Sequence, residues 1–219
     1  MPRRKTKSFQ CRSGAAALFL ITLFASAVAA QSKPQSSPSY DDLVQESRNG
    51  DPNVNYGQLR MAYAASPKYS SDVDMDSVKK MNSKLQSKDY KGALKAANVL
   101  LNEDYVSIDA HIVAYLAYQA QHDAGHAQQQ HDIAIGLIQS ILGSGDGKSI
   151  ASAYKVICVR EEYNVLNALG LRPQSQALSK QNDRDYDVLT VMNPKDGTTS
   201  KLYFDTTISM TYMDKLFKQ

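Results

Sequence analysis

The residues most able to do chemistry in this chain are its histidines, a few paired acids and one glycine-rich loop. All four histidines fall between positions 111 and 131. His122 and His126 are four apart, and His131 has Asp132 beside it. Zinc needs three or four convergent ligands. A turn near Gly125 would take His122 off the face of His126, so structural histidines and no metal site are expected. Gly143-Ser144-Gly145-Asp146-Gly147-Lys148-Ser149 invites a phosphate-loop reading. That loop requires a glycine five positions before Gly147, where Leu142 stands, and a preceding strand rather than a helix. The segment reads instead as a helix stop. Asp72, Asp74 and Asp76 imitate the start of a calcium loop, but Ser77 and Ser83 occupy the positions of its glycine and closing glutamate. They read as an acidic approach to a helix.

Glu161 and Glu162 open a helix, where acids complement the dipole. Adjacent carboxyls do not by themselves supply the facing pair of a hydrolase. There is no Gly-x-Ser-x-Gly elbow and no His-Glu-x-x-His motif. Cys158 lies in an apolar run with Val156, Ile157 and Val159, and reads as a small buried hydrophobe. The chargeable groups in apolar or loop contexts are Arg60, His131, Asp146, Glu161 and Glu162. These are the candidate binding residues. The competing reading makes them an internal ion-pair network, for example Arg60 with a glutamate, tying the N-terminal segment to the core. No catalytic residue and no cofactor is assigned.

The elements that must position these groups change character along the chain. A short helix starts near Tyr40 with Asp41 and Asp42 in its first turn and stops at Gly50. A second covers Tyr56 to Ala65 and is halted by Ser66-Pro67. Met75, Val78, Met81 and Leu85 mark a third helix; Ala93, Ala97, Leu100 and Leu101 mark the next. Ile108, Ile112, Tyr115, Leu116 and Gln119 run along a helix that is apolar over much of its circumference and expected to be central. Ile133, Leu137, Ile138, Ile141 and Leu142 mark another, ending at Gly143. The period then shifts. Tyr154–Val159 is β-branched and short, a strand candidate, followed by a helix with Tyr163, Leu166 and Leu169 on one face. Residues 186–192 and 202–206 alternate around Asn193-Pro194-Lys195-Asp196-Gly197, a hairpin with an Asp-Gly loop. A last helix uses Tyr212, Met213, Leu216 and Phe217. The fold class is α+β: helical hairpins over residues 40–143, then a small antiparallel sheet with a packed helix over 144–219.

Residues 1–30 have the three parts of a signal peptide: a basic stretch from Arg3 to Arg12, an apolar run from Ala15 to Val28, and small residues ending at Ala29 and Ala30. The apolar run is shorter than the roughly 20 residues of a membrane span. Cleavage leaves a leader over 31–39, rich in Ser, Pro and Gln, and one domain over 40–219. Residues 1–30 hold five of the 25 basic side chains and none of the 22 acids, so the remainder carries 20 against 22. A near-neutral exported domain gives no reason to expect nucleic acid or anionic lipid as partner. Cys11 precedes the apolar run and cannot bear a lipoprotein anchor, and Cys158 alone allows no internal disulfide.

Asp89 and Ala93 recur as Asp123 and Ala127, 34 positions on, which is the tetratricopeptide period. The stretch from Ser87 to Tyr105 resembles the second half of such a repeat, although Lys80 and Lys84 stand where its first helix carries apolar groups. A generic helical stack is the alternative. More broadly, Gly50-Asp51, Tyr56, Leu59-Arg60-Met61-Ala62-Tyr63, Ser66-Pro67-Lys68-Tyr69, His131, Gly136–Ile141, Gly145–Ser149, Glu161-Glu162-Tyr163, Leu169-Gly170-Leu171, Tyr186-Asp187 and Leu202–Asp205 together resemble the domain of unknown function 4919 family. The resemblance implies an exported bacterial protein and assigns no activity. The functional expectation is a non-enzymatic protein- or peptide-binding scaffold of the cell envelope, in the periplasm or outside the cell. The alternative is an extracytoplasmic hydrolase.

Overall fold

The computed structural model describes residues 38–72 and 75–218. The signal peptide expected over residues 1–30 and nearly all of the expected leader over 31–39 lie outside the described residues. Ser39, assigned to the leader by composition, caps the first helix: its hydroxyl accepts from Asp42 N, and the Asp42 side chain accepts from Ser39 N. That reciprocal box starts α1, Tyr40–Arg48. Asn55 caps α2, Tyr56–Ala64. Four helices follow: α3 Met75–Gln86, α4 Tyr90–Glu103, α5 Ile108–Ala120 and α6 Ala124–Leu142. Asp89 caps α4 and Asp123 caps α6, each through the backbone N–H three residues on. Short turns fold α4, α5 and α6 each onto the helix before it. The turn after α5 spans 121–123, with His122 in the left-handed region, so His122 and His126 do not share a helix.

The buried face of α5 differs from the expected stripe. Ala110, Val113, Ala114 and Ala117 pack against α4, with Ile108 and His111 also buried, while Leu116 is exposed. Small side chains let neighbouring helices approach closely, and that close contact wins over the bulkier residues.

The second part is a four-stranded mixed sheet in the order β1-β4-β3-β2. The expected hairpin is present as β3, Arg184–Met192, and β4, Thr199–Asp205, with Leu189 opposite Leu202. The strand expected over 154–159 is only β1, Tyr154–Lys155, and it pairs parallel to β4 rather than antiparallel. Val156 N still donates to Asp205 O, after which the chain turns into α7, Val159–Leu169. A strand not anticipated, β2, Arg172–Gln181, joins β3 through Asn182 and Asp183, both at positive φ. It is exposed along nearly its whole length, so its residues carry no buried-face pattern.

α7 buries Glu161, Glu162, Asn164, Val165 and Leu166; of the expected face Leu166 is buried, Tyr163 is partly buried and Leu169 is exposed. Likewise α8, Thr207–Phe217, buries Ser209, packs Ile208 and Tyr212 on the core, and leaves Leu216 and Phe217 exposed. One core joins α1, α2, α6, α7 and the inner face of the sheet around Leu59, Leu137, Ile141, Val156 and Phe204. A second core lies among α3, α4 and α5. No helix among the described residues is long and apolar enough to cross a membrane.

Candidate functional site

Two of the five candidate residues meet at the centre of the first core. Arg60 on α2 is 1% exposed and Glu161 on α7 is 3% exposed. The guanidinium grips the carboxylate with both arms, Nε to Oε1 at 2.8 Å and Nη2 to Oε2 at 2.5 Å. It also donates to the Lys155 carbonyl and to Ser140 Oγ, while Ile157 N donates to Glu161 Oε2. The pair therefore joins α2, α6, the end of β1 and α7. Two desolvated charges persist here because each pairs with the other and gains further hydrogen bonds from its surroundings.

Glu162 turns away from this pair. It is fully buried against the Asp187 carboxyl, and neither of its oxygens makes a well-formed hydrogen bond among the described residues. Burial first, and the charge of Asp187 on β3 second, push its carboxyl up to about 9. Asp187 is itself 3% exposed and accepts from Gln176 on β2; burial pushes its carboxyl up as well. These two acids face the interior of the α7–sheet contact.

His131 and Asp146 are not part of either cluster. His131 is partly exposed on α6, with its ring 5.2 Å from that of Tyr115 and Nδ1 3.3 Å from Asp132. Asp146 organises its own loop: Oδ1 accepts from Lys148 N and Ser152 Oγ, and the hydroxyl holds the carboxyl below its usual range. Gly147 in that loop sits at φ +67°, and a Cβ there would lie 2.3 Å from the Tyr154 ring.

The most enclosed cavity lies on the other side of Glu161. It occupies about 140 Å³ between the segment after α2, the α4–α5 junction and the start of α7. Tyr63 and Tyr69 wall it on one side, and the Tyr69 hydroxyl is fixed by donating to the Ile157 carbonyl. Cys158, Arg160 and Glu161 bring α7 into the lining. Arg160 is clamped by Asp109 of α5, at 2.6 and 2.7 Å. Asp104, at the C-terminal end of α4, accepts a hydrogen bond from Val106 N at 3.1 Å. Burial outweighs that bond, and with the charges of Glu161 and Asp109 it pushes the Asp104 carboxyl up to about 7. Burial and the Glu161 charge also push the Cys158 thiol up, which keeps it protonated. No histidine lines the cavity.

An apolar groove of about 370 Å³ adjoins it and shares Asp72 and Arg160. Its surface is made by Met75, Val159, Tyr163, Met210 and Met213, drawn from α3, α7 and α8. Met75 and Val159 are close to half exposed. Of the sequence candidates only Glu161 reaches this cleft. Asp104 escaped notice because an acid at a helix end reads as a solvated cap, and the methionines because they lie on three separate elements. Among the described residues no group of acids, histidines or cysteines could hold a metal ion.

Residues 28–215 match the family described as Domain of unknown function (DUF4919). The chain belongs to that family. No curated protein and no solved structure matches it. In this DUF4919 chain the match spans α1 to α8, so the Arg60–Glu161 pair and the cleft both fall inside the family domain.

Proposed function

We propose that the DUF4919 chain is an exported binding module of the cell envelope that takes a segment of a protein or peptide partner in the cleft at the start of α7. One observation carries this reading: a cavity lined by aromatic, aliphatic and acidic side chains adjoins a methionine-lined apolar groove at Asp72 and Arg160. Apolar grooves with a few convergent polar groups are ligand sites. Methionine side chains adapt to varied apolar surfaces, a property suited to partner binding. The groove's exposed apolar side chains come from helices anchored in the core, so it is preformed. Small residues packing α3, α4 and α5 closely are consistent with a tetratricopeptide-like stack serving as scaffold. The Cys158 thiol stays protonated and no histidine lines the cavity, so the cysteine is not an activated nucleophile.

The test is affinity capture from an envelope fraction with the exported chain and three variants, Met75→Glu, Met210→Glu and His131→Ala. A partner retained by the parent and by His131→Ala, but lost with both glutamate variants, is the expected result. Capture that is indifferent to the groove charges overturns the assignment of the cleft.

A further inference from the structure

The charges around the cavity do not balance. Of its carboxylates, Glu161 is neutralised by Arg60 and Asp109 by Arg160. The Lys68 ammonium is 2.8 Å from Asp41, which lies outside the lining. Asp72, Glu103 and Asp104 are left with no cationic partner among the described residues. Asp72 and Glu103 are exposed and Asp104 is partly buried. A cleft with surplus carboxylate and aromatic walls is complementary to an alkylammonium. The stem packs on Tyr63 and Tyr69, the head gains a charge-assisted bond, and the ring faces add attraction for the cation.

We propose that the cleft recognises a lysine flanked by apolar residues, the ammonium entering the cavity at Asp104 and an apolar neighbour lying on the methionine groove. This rests on the binding reading above and names its ligand chemistry. The groups facing Asp104 set its proton linkage. They are Tyr40 from α1, Tyr63 from α2, Tyr69 after it, Asp109 from α5, and Cys158 and Glu161 at the start of α7, with Lys68 and Arg160 the cations of the lining. The tyrosines and the thiol are all pushed up by burial and stay neutral, so the carboxyl of Asp104 is the group that titrates near neutrality. An ammonium binds its charged form and releases its proton, so affinity rises with pH through that range.

The experiment is calorimetric titration of the exported chain with a blocked leucine-lysine-leucine tripeptide, its norleucine and acetyl-lysine counterparts, and butylamine. The lysine peptide is expected to bind at least tenfold tighter than either neutral counterpart. Its affinity should rise by up to about thirtyfold from pH 5.5 to pH 8, the limit set by one proton released near pH 7. Asp104→Asn keeps the acceptor for Val106 N, and should remove both the preference and the pH dependence while the far-ultraviolet spectrum is unchanged. Equal binding of lysine and norleucine peptides, or no binding of any peptide, overturns the proposal. Butylamine binding as tightly as the peptide also overturns it, since the groove would then contribute nothing. A groove-dependent partner captured equally by parent and Asp104→Asn would defeat the lysine assignment while leaving the binding reading intact.

Discussion

The Arg60–Glu161 pair and the Glu162 carboxyl are neighbours in sequence terms but opposites in energetics. Glu161 accepts three hydrogen bonds, two from Arg60 and one from Ile157 N, whereas the Glu162 oxygens lack well-formed ones among the described residues. Removing one half of the first pair strands a buried charge. Arg60→Ala is expected to lower stability by about 3–5 kcal/mol, and Arg60→Met with Glu161→Leu by less than either single change. Urea unfolding of the three variants checks this. Glu162 acts the other way. Its folded-state carboxyl titrates at about 9, above its unfolded value of 4.5, so the unfolded chain loses its proton first as pH rises. The stability it confers is present in acid and is lost progressively between those two values. Glu162→Gln should therefore stabilise the protein at pH 8, by roughly 1–3 kcal/mol, and change little at pH 4.5. A gain that is equal at both pH values would show that packing, not ionisation, is responsible. The residue types around Arg60 were legible from sequence because a lone arginine in an apolar helix needs a counter-charge. Which glutamate answers it was not, since Glu161 and Glu162 differ only by the 100° turn between adjacent helical positions.

At the scale of elements, the helices announce themselves through caps and period. Ser39, Asn55, Asp89 and Asp123 each cap the helix that follows. Strand β2 could not be found this way, because alternation only appears when one face is buried and here both are open. Its trace in the sequence is the Asn182-Asp183 pair, two residues that tolerate the left-handed backbone of a two-residue hairpin turn. The buried faces of α5, α7 and α8 depart from the expected ones in part, for a shared reason. Ile108, Ile112, Leu166 and Tyr212 of the expected faces do pack inward, but close helix contact, a buried ion pair and a groove also put small or charged residues inward and leave Leu116, Leu169, Leu216 and Phe217 out. Gly136 shows how tight such contacts are. A Cβ on it would sit 2.3 Å from the Tyr56 ring, where α6 crosses α2. Gly136→Ala should separate these helices and lower stability by about 1–3 kcal/mol, despite alanine's better helix propensity. Thermal unfolding that moves upward instead would mean the Tyr56 ring swings aside freely.

On the scale of the whole molecule, the chain is α+β with one core shared by helices and sheet, and the cleft opens where the helical array meets α7 and α8. That junction was invisible in the sequence, since Tyr63, Asp104, Cys158 and Met210 come together only through tertiary folding. The groove's dependence on Met75, Met210 and Met213 has a chemical consequence. Thioethers exposed to peroxide or hypochlorous acid become sulfoxides, which are polar, chiral and bulkier. Oxidation of these three side chains would turn the apolar floor of the cleft into a hydrogen-bonding one without disturbing the core. The capacity of this surface to hold an apolar segment is thus tied to the oxidative state of its surroundings, and a sulfoxide reductase would be what restores it.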